Sequence, residues 1–328
     1  MAAETILLTR QEINSQIDIA AVIPAIEHAM GQFEKGQDYL PPKAIYHLPV
    51  ADGVAACITG YTQSADVLSM KVGQERTANP DLGLPTTNSW VAVFNPETGE
   101  LIMICDGTLP TMYRTAAAAA VSAKHLARAD VRALGVIGAG QLGRQCVRAV
   151  SLVREFDKIY LYDVAESIAR QAADELAAQV RQPIEIADAE TVCRRADVLV
   201  TATNSREPIV RAAWVADGTH LCCMGTDLHE KIECEMTLLL RCRIFADVTE
   251  HALVRGEVSQ AVEQGVLGSD CYAGTLGQVI NGSIDGRTDP AQVTMFDGVG
   301  IGIQDTTVAR AIYDQAVAKG IGTRFAFS

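Results

Sequence analysis

Apolar residues recur at three- and four-residue spacing between Ile17 and Gly36, at Ile19, Val22, Ile23, Ile26, Met30 and Phe33. This predicts an amphipathic helix closed by Gly36 as its C-cap. From Pro41 to Asp106 the period changes, and short β-rich runs (Gly53–Tyr61, Leu68–Val72, Ser89–Phe94, Glu100–Cys105) alternate with Gly, Pro and Asn. Asn95-Pro-Glu-Thr-Gly99 reads as a hairpin turn, with Pro fixing one φ and Gly free to take a positive one. The first third is therefore expected to be a helix packed on an antiparallel sheet. Arg114 to Arg128 is an alanine-dense helix whose small side chains allow close approach to neighbouring backbone, and it reads as a bridge between domains.

Beyond that helix, strand and helix patterns alternate. The expected strands are Ala133–Ile137, Lys158–Asp163, Ile184–Ala187, Val198–Thr203, His220–Met224 and Arg243–Asp247, with a helix at Ser167–Gln179 and a last strand at Val293–Phe296. This rhythm predicts a parallel sheet with right-handed crossovers. The C-terminal helix, about Asp305 to Lys319, ends at Gly320 and is expected to return to the first domain.

With 328 residues and 48% hydrophobic content, the chain is long enough for one large or two medium cores. A net charge of −13 argues against a nucleic-acid partner, because phosphate binding needs a basic face. No segment pairs a basic stretch with an apolar core, so neither a signal peptide nor a membrane partner is expected. The nine cysteines form no Cys-x-x-Cys pair, so no metal site is expected and free thiols in a reducing cytoplasm are the reading.

The strongest local signal is Gly138-Ala139-Gly140-Gln141-Leu142-Gly143, which an apolar strand enters and a helix leaves. Gly138 permits the tight turn, Gly140 lets backbone approach a pyrophosphate, and Gly143 lets the helix pack on the strand. The helix N-terminus offers N–H donors to the phosphates. Twenty residues beyond Gly143, Asp163 stands at the end of the next strand, the spacing expected of a carboxylate on the adenosine ribose. A 2′-phosphate would meet it as a like charge, so NAD is favoured over NADP. Thr203 and Asp297 complete the expected cofactor set.

The chain resembles the ornithine cyclodeaminase/mu-crystallin family, which includes an archaeal-type alanine dehydrogenase and ketimine or imine reductases. The resemblance covers nearly the whole length. It is carried by Ser69-Met-Lys71-Val, Asn79-Pro-x-x-Gly-Leu-Pro85, Phe94-Asn-Pro-Glu-Thr-Gly99, Arg114-Thr-Ala-Ala, Gly138-Ala-Gly140, Gly225-Thr-Asp227 and Val293-Thr-Met-Phe-Asp297-Gly-Val-Gly300. It implies an α/β subunit: a Rossmann doubly wound parallel sheet over 115–304, and an α+β substrate-binding and dimerisation domain from 1–114 with 305–328. Homodimers, and an active site with the nicotinamide at the C-terminal strand edge, are further implications.

The same resemblance places Lys71 and Arg114 at the carboxylate of an amino or imino acid, with Lys43 where many members have Arg. Lysine keeps that charge but gives up the bidentate fork. Asp227, at the edge of the strand His220–Met224, is the expected general acid/base, and Lys71 joins it as a candidate catalytic residue. Asp297 reads equally as a nicotinamide contact or a helix cap. His229 reads as a surface residue, and Cys222 and Cys223 as buried strand residues. Where ornithine-handling members carry a Glu in the strand Gly53–Gly60, this chain is small or apolar, about Ala56 and Cys57. A second ammonium would lack a partner there.

The first expectation is thus an NAD-dependent oxidoreductase of a small L-amino acid or its imine, alanine dehydrogenase-like or imine reductase-like. Cyclodeamination of ornithine with catalytic NAD is the alternative, and a non-enzymatic NAD(P)H- or ligand-binding protein like mu-crystallin is the third reading. Gln74 to Asn79 and Pro85 to Ser89 are expected to shape the side-chain pocket, with Arg76 or Asn88 reading a second polar group.

Overall fold

The computed structural model describes residues 4–50, 53–76 and 78–327, with backbone alone at Pro80 and Asp81. In chain order the elements are β1 (Glu4–Leu8), α1 (Arg10–Asn14), α2 (Ile19–Phe33), β2 (Ala44–Leu48), β3 (Gly53–Thr62), β4 (Val67–Arg76), β5 (Thr87–Phe94), β6 (Leu101–Asp106) and α3 (Thr108–Leu126). Next come β7 (Ala133–Ile137), α4 (Gln141–Val150), β8 (Lys158–Tyr162), α5 (Glu166–Ala177), β9 (Ile184–Ile186), α6 (Ala189–Arg195), β10 (Val198–Thr201) and β11 (His220–Cys223). The remainder is α7 (Met236–Leu239), β12 (Cys242–Ala246), α8 (Thr249–Arg255), α9 (Ser259–Glu263), β13 (Tyr272–Thr275), α10 (Leu276–Ile280), β14 (Val293–Asp297), α11 (Gly302–Lys319) and β15 (Thr323–Ala326). Two compact units result, 1–114 with 301–328 and 115–300.

The first unit holds a seven-stranded sheet in the order β15-β1-β6-β5-β4-β3-β2. Its ladders are antiparallel except β1 with β6. One face buries Ile6, Leu8, Ile58, Val91, Val93, Met103 and Cys105, and α11 packs over β3 and β4. That helix approaches the sheet backbone to backbone. A Cβ added to Gly60 would lie 2.5 Å from the carbonyl carbon of Gly302, and one added to Gly302 would strike Thr59. The helix consequently starts at Gly302, three residues before its expected start, and Asp305 falls in its first turn.

The second unit holds an eight-stranded sheet in the order β13-β12-β14-β11-β10-β7-β8-β9, parallel throughout. From β9 to β11 the order is that of a doubly wound dinucleotide fold, reversing between β7 and β10, where such folds bind ligands. The strand expected to come last, β14, inserts between β11 and β12, which buries all five of its residues.

Several boundaries differ from expectation for local reasons. Helix α3 starts at Thr108 rather than Arg114, because Pro110 falls in its first turn, where no intrahelical N–H is needed. Strand β8 stops at Tyr162 and β10 at Thr201, so Asp163 and Thr203 lie just past the ends of their strands. Helix α2 begins at Ile19, with the Asp18 carboxylate accepting the Ala20 amide, and ends at Phe33; Gly36 lies past it at φ 71°.

Candidate functional site

In the second unit the chain leaves β7 through Gly138, whose φ of 97° is open to glycine alone at little strain. Its amide donates to Tyr162 O at 2.9 Å, tying the loop to the next strand. Gly140 is the N-cap of α4, and a Cβ built there meets nothing within 4 Å, so the approach to its backbone is open. A Cβ at Gly143 would collide with Gly138 O, which fixes that position as glycine. Ala139 is buried, Gln141 exposed and Leu142 half-buried. The Asp163 carboxylate accepts the Ala139 amide at 2.9 Å and the Ala165 amide at 3.0 Å. Arg144, not singled out in the sequence, is buried and braces the loop from below, Nε to Ala139 O at 3.0 Å and Nη1 to Glu175 at 2.6 Å. A helix N-terminus with open amides beside a fixed carboxylate can hold a pyrophosphate and an adjoining ribose.

The other strand ends of this unit carry a cluster of buried carboxylates. Glu233 accepts from Thr201 Oγ1 (2.6 Å), Thr203 N (2.7 Å), Thr203 Oγ1 (2.8 Å) and Gly225 N (3.1 Å). Thr203, expected at the cofactor, thus has its amide and hydroxyl engaged with Glu233. Glu257 accepts from Thr226 Oγ1 at 2.5 Å and from the amides of Glu233 and Cys234. Asp297 is wholly buried and accepts from Glu257 N (2.9 Å), Val258 N (3.4 Å) and Tyr272 OH (2.7 Å). These carboxylates fasten loops to strand ends and to one another, and none of the three acids was legible from motif spacing as a fastener.

Burial pushes the Asp297 carboxyl up to about 7. Burial, with Glu233 nearby, pushes Glu257 up to about 8. A carboxyl raised on folding binds more protons folded than unfolded. Its contribution is therefore present at low pH and is lost as pH rises through the folded value, at about 1.4 kcal/mol per unit for each group. Calorimetry should show the melting temperature falling between pH 5 and pH 8, with a shallower fall in Asp297→Asn; a flat profile would contradict this assignment.

Asp227 follows β11 in Gly225-Thr-Asp227. Its side chain is half exposed, and Oδ1 accepts from Lys231 Nζ at 2.9 Å, while Lys231 itself is buried. That partner lies four residues on in Thr-Asp-Leu-His-Glu-Lys and was not picked out in the sequence. His229 is exposed, its Nε2 2.9 Å from Glu263. Cys222 and Cys223 are buried in β11.

In the first unit three cations meet one carboxylate. Lys43, Lys71 and Arg114 are 8%, 5% and 6% exposed, and Asp305 is 2% exposed. Lys71 Nζ donates to Asp305 Oδ1 at 2.8 Å and to Thr111 Oγ1 at 3.1 Å. Arg114 Nε donates to the same Oδ1 at 3.2 Å, and its Nη1 to Gln304 Oε1 at 3.2 Å. Lys43 acts on both Lys71 and Asp305 through its charge. Burial lowers Lys71 to about 8, against the pull of Asp305, while Arg114 and Lys43 push the same way as burial. Burial raises Asp305, but Arg114 and Lys71 outweigh it and hold the carboxyl below its usual value. Lys71 and Arg114 sharing one carboxylate leave an excess of positive charge, and such an excess suits an anionic ligand.

The inward-facing positions of β3 are Val54, Ala56, Ile58 and Gly60, flanking the Lys71 row of β4. None carries a carboxylate; Cys57, paired with Val72, faces the other way. Arg76 lies folded over Gly53, donating to Glu75 O (2.9 Å) and Gln74 Oε1 (3.1 Å). Asn88 Nδ2 donates to Pro85 O at 3.4 Å. Within the segment expected to shape a pocket, Thr77 lies outside the described residues.

Known proteins match this chain along its full length. An alanine dehydrogenase of Archaeoglobus fulgidus is 34% identical over 330 residues, covering 99% of each chain. An iminosuccinate reductase of Paracoccus denitrificans is 34% identical over 316 residues, covering 96% of this chain and 98% of the relative. The solved structure of an archaeal alanine dehydrogenase dimer with bound NAD superposes with a TM-score of 0.95 at 33% identity, covering 99% of this chain and 100% of that one. The family model for the ornithine cyclodeaminase/mu-crystallin family matches residues 3–320, and the chain belongs to that family.

Proposed function

We propose that the chain is an NAD-dependent oxidoreductase acting on a small L-amino acid or its imine. The observation that carries the reading is the pair of buried cations Lys71 and Arg114 sharing one Asp305 oxygen, a net positive pair that matches the one group every amino or imino acid shares, its α-carboxylate. Full-length similarity to a dehydrogenase and to an imine reductase supports the same chemistry. The residues present fit the cofactor: the open backbone at Gly140 admits the pyrophosphate, and the Asp163 carboxylate accepts ribose hydroxyls and opposes a 2′-phosphate.

When bound, NAD supplies the nicotinamide carbon that takes up or releases a hydride. The chain supplies the rest. Lys71 and Arg114 grip the substrate carboxylate, with Lys43 adding charge, and so hold Cα in one orientation. Asp227 takes a proton from the amine or from the water that attacks the imine, and returns it in the reverse direction. Lys231 holds Asp227 in one orientation. Thr203 and Asp297 act at one remove, by fixing the loops that border the cofactor. Units 1–114 with 301–328 and 115–300 divide these tasks into substrate binding and cofactor binding.

One structural detail favours net oxidoreduction over cyclodeamination of a diamino acid. The inward face of β3 carries no acid for a distal ammonium. Following NADH oxidation with 2-oxo acids and ammonia, and with cyclic imines, tests the reading. Turnover with NADH well above that with NADPH supports it, and absence of turnover with both substrate sets removes it.

We further place the protein in the cytoplasm as a homodimer. All nine cysteines are free thiols, and no helix among the described residues is long and apolar enough to cross a membrane. The outward face of the seven-stranded sheet exposes Tyr46, Met70, Val72 and Trp90, with Val72 and Trp90 directly paired across β4 and β5. A second copy of this face is its occupant, by analogy with the dimeric relative. Trp90→Glu should weaken self-association by roughly 30- to 1000-fold, since a central tryptophan at an interface contributes about 2–4 kcal/mol. Sedimentation would show the shift to monomer; a dimer of unchanged affinity would exclude this face.

A further inference from the structure

We propose that Asp305 is the positioning residue of the substrate-carboxylate site, holding Lys71 and Arg114 in register through one shared oxygen. The inference rests on the reading that these two cations bind the substrate carboxylate. Its basis is the division of labour between the two Asp305 oxygens. Oδ1 takes both Lys71 Nζ (2.8 Å) and Arg114 Nε (3.2 Å), whereas Oδ2 is buried with no hydrogen-bond partner. A carboxylate serving only to pair two cations would engage both oxygens, because a buried unsatisfied oxygen is unfavourable.

The neighbouring residue shows the same pattern. Gln304 Oε1 accepts from Arg114 Nη1 (3.2 Å) and Ile301 N (3.4 Å). Two donors on one oxygen fix the orientation of the amide, so the unpartnered atom is a donor, Nε2. One turn of α11 therefore presents an unused acceptor and an unused donor beside two cations whose places it sets. That is the arrangement of a site completed by a ligand with both an anionic oxygen and an N–H, as an amino or imino acid has. The turn itself is held by the glycine contact of Gly302 with β3 and by Thr306, whose hydroxyl donates to Gly60 O at 3.0 Å and meets Ser69 at 2.7 Å.

Asp305 also governs when Lys71 is charged. The charged groups facing Lys71 are Asp305 on α11, Arg114 on α3 and Lys43 ahead of β2, and Asp305 alone among them favours the ammonium. Its removal leaves two positive neighbours and burial acting together against the charge.

The test compares Asp305→Asn, Asp305→Glu and Arg114→Met by steady-state kinetics between pH 6 and pH 10, with NADH affinity measured separately. Asp305→Asn should raise KM for the amino acid roughly ten-fold or more, with little change in kcat or NADH affinity. It should also move the alkaline fall of kcat/KM to lower pH, by about one unit. Asp305→Glu keeps the charge but displaces the oxygen, so KM should rise while the alkaline limb stays in place; this variant carries the test if the Asn protein does not fold. A parent-like KM and limb in the Asp305 variants, alongside a raised KM in Arg114→Met, would overturn the inference and leave the carboxylate reading intact. A parent-like KM in Arg114→Met would instead refute that reading.

Discussion

Arg114→Met should lower kcat/KM for the amino-acid substrate by roughly 10³-fold, with NADH affinity within about two-fold of the parent. The size follows from the geometry. Arg114 is buried, offers Nε and Nη1 to fixed acceptors, and is the one planar fork in a cluster otherwise made of two lysines. Truncating one partner of a buried, hydrogen-bonded charge pair costs about 2–5 kcal/mol, which spans roughly 30- to several thousand-fold in rate. Methionine retains much of the side-chain volume, so loss of packing is held down. The charge it removes also leaves Asp305 with fewer cations, and some loss of thermal stability should accompany the kinetic change. Initial rates and NADH fluorescence titration check the prediction; a rate within ten-fold of the parent would exclude Arg114 from the substrate site.

Asp227→Asn should reduce kcat by roughly 10²- to 10⁴-fold, the usual range for loss of a positioned acid/base, with substrate and NADH affinities little changed. Asparagine keeps the shape and can still accept from Lys231 at the position Oδ1 occupies, so the loop after β11 should stand. What it cannot do is take up a proton. A variant that retains parent kcat would remove Asp227 from the mechanism and shift attention to its buried neighbour Lys231. Loss of NADH affinity in the same variant would point to a structural role instead.

The parts of this molecule legible in its sequence were those whose physics is local. The turn at Gly138, the helix that follows and the carboxylate at Asp163 are specified within about twenty-five residues, and the structure shows the backbone contacts that require each glycine. Lys71 and Arg114 are 43 positions apart, and composition or periodicity alone would have left them as surface cations; the motifs around them, through a family resemblance, brought them forward. Asp305 was not visible by either route. An acid in the first turn of a helix reads as a favourable dipole interaction, and nothing local shows that α11 returns to β3 and β4, where Asp305 meets residues about 190 and 230 positions earlier.

The same limit hid the fastening carboxylates. Glu233 and Glu257 sit in loops of ordinary polarity, and their burial follows from strand ends brought together by the order β12-β14-β11-β10. That order depends on β14 inserting into the sheet, which a run as short as Val293–Asp297 cannot announce. Strands β1, β2, β13 and β15 were missed because they are short or weakly patterned. All four β15 residues are exposed, and β13 contains Gly274 at φ 148°.

The most direct test of net oxidoreduction is absorbance at 340 nm with purified protein, NAD and a panel of L-amino acids, with ammonia assayed in parallel. Net oxidoreduction predicts steady NADH formation with a monoamino acid and ammonia released in equal amount. Ammonia and proline from ornithine, with no net NADH and only catalytic NAD required, would contradict it and make cyclodeamination the activity.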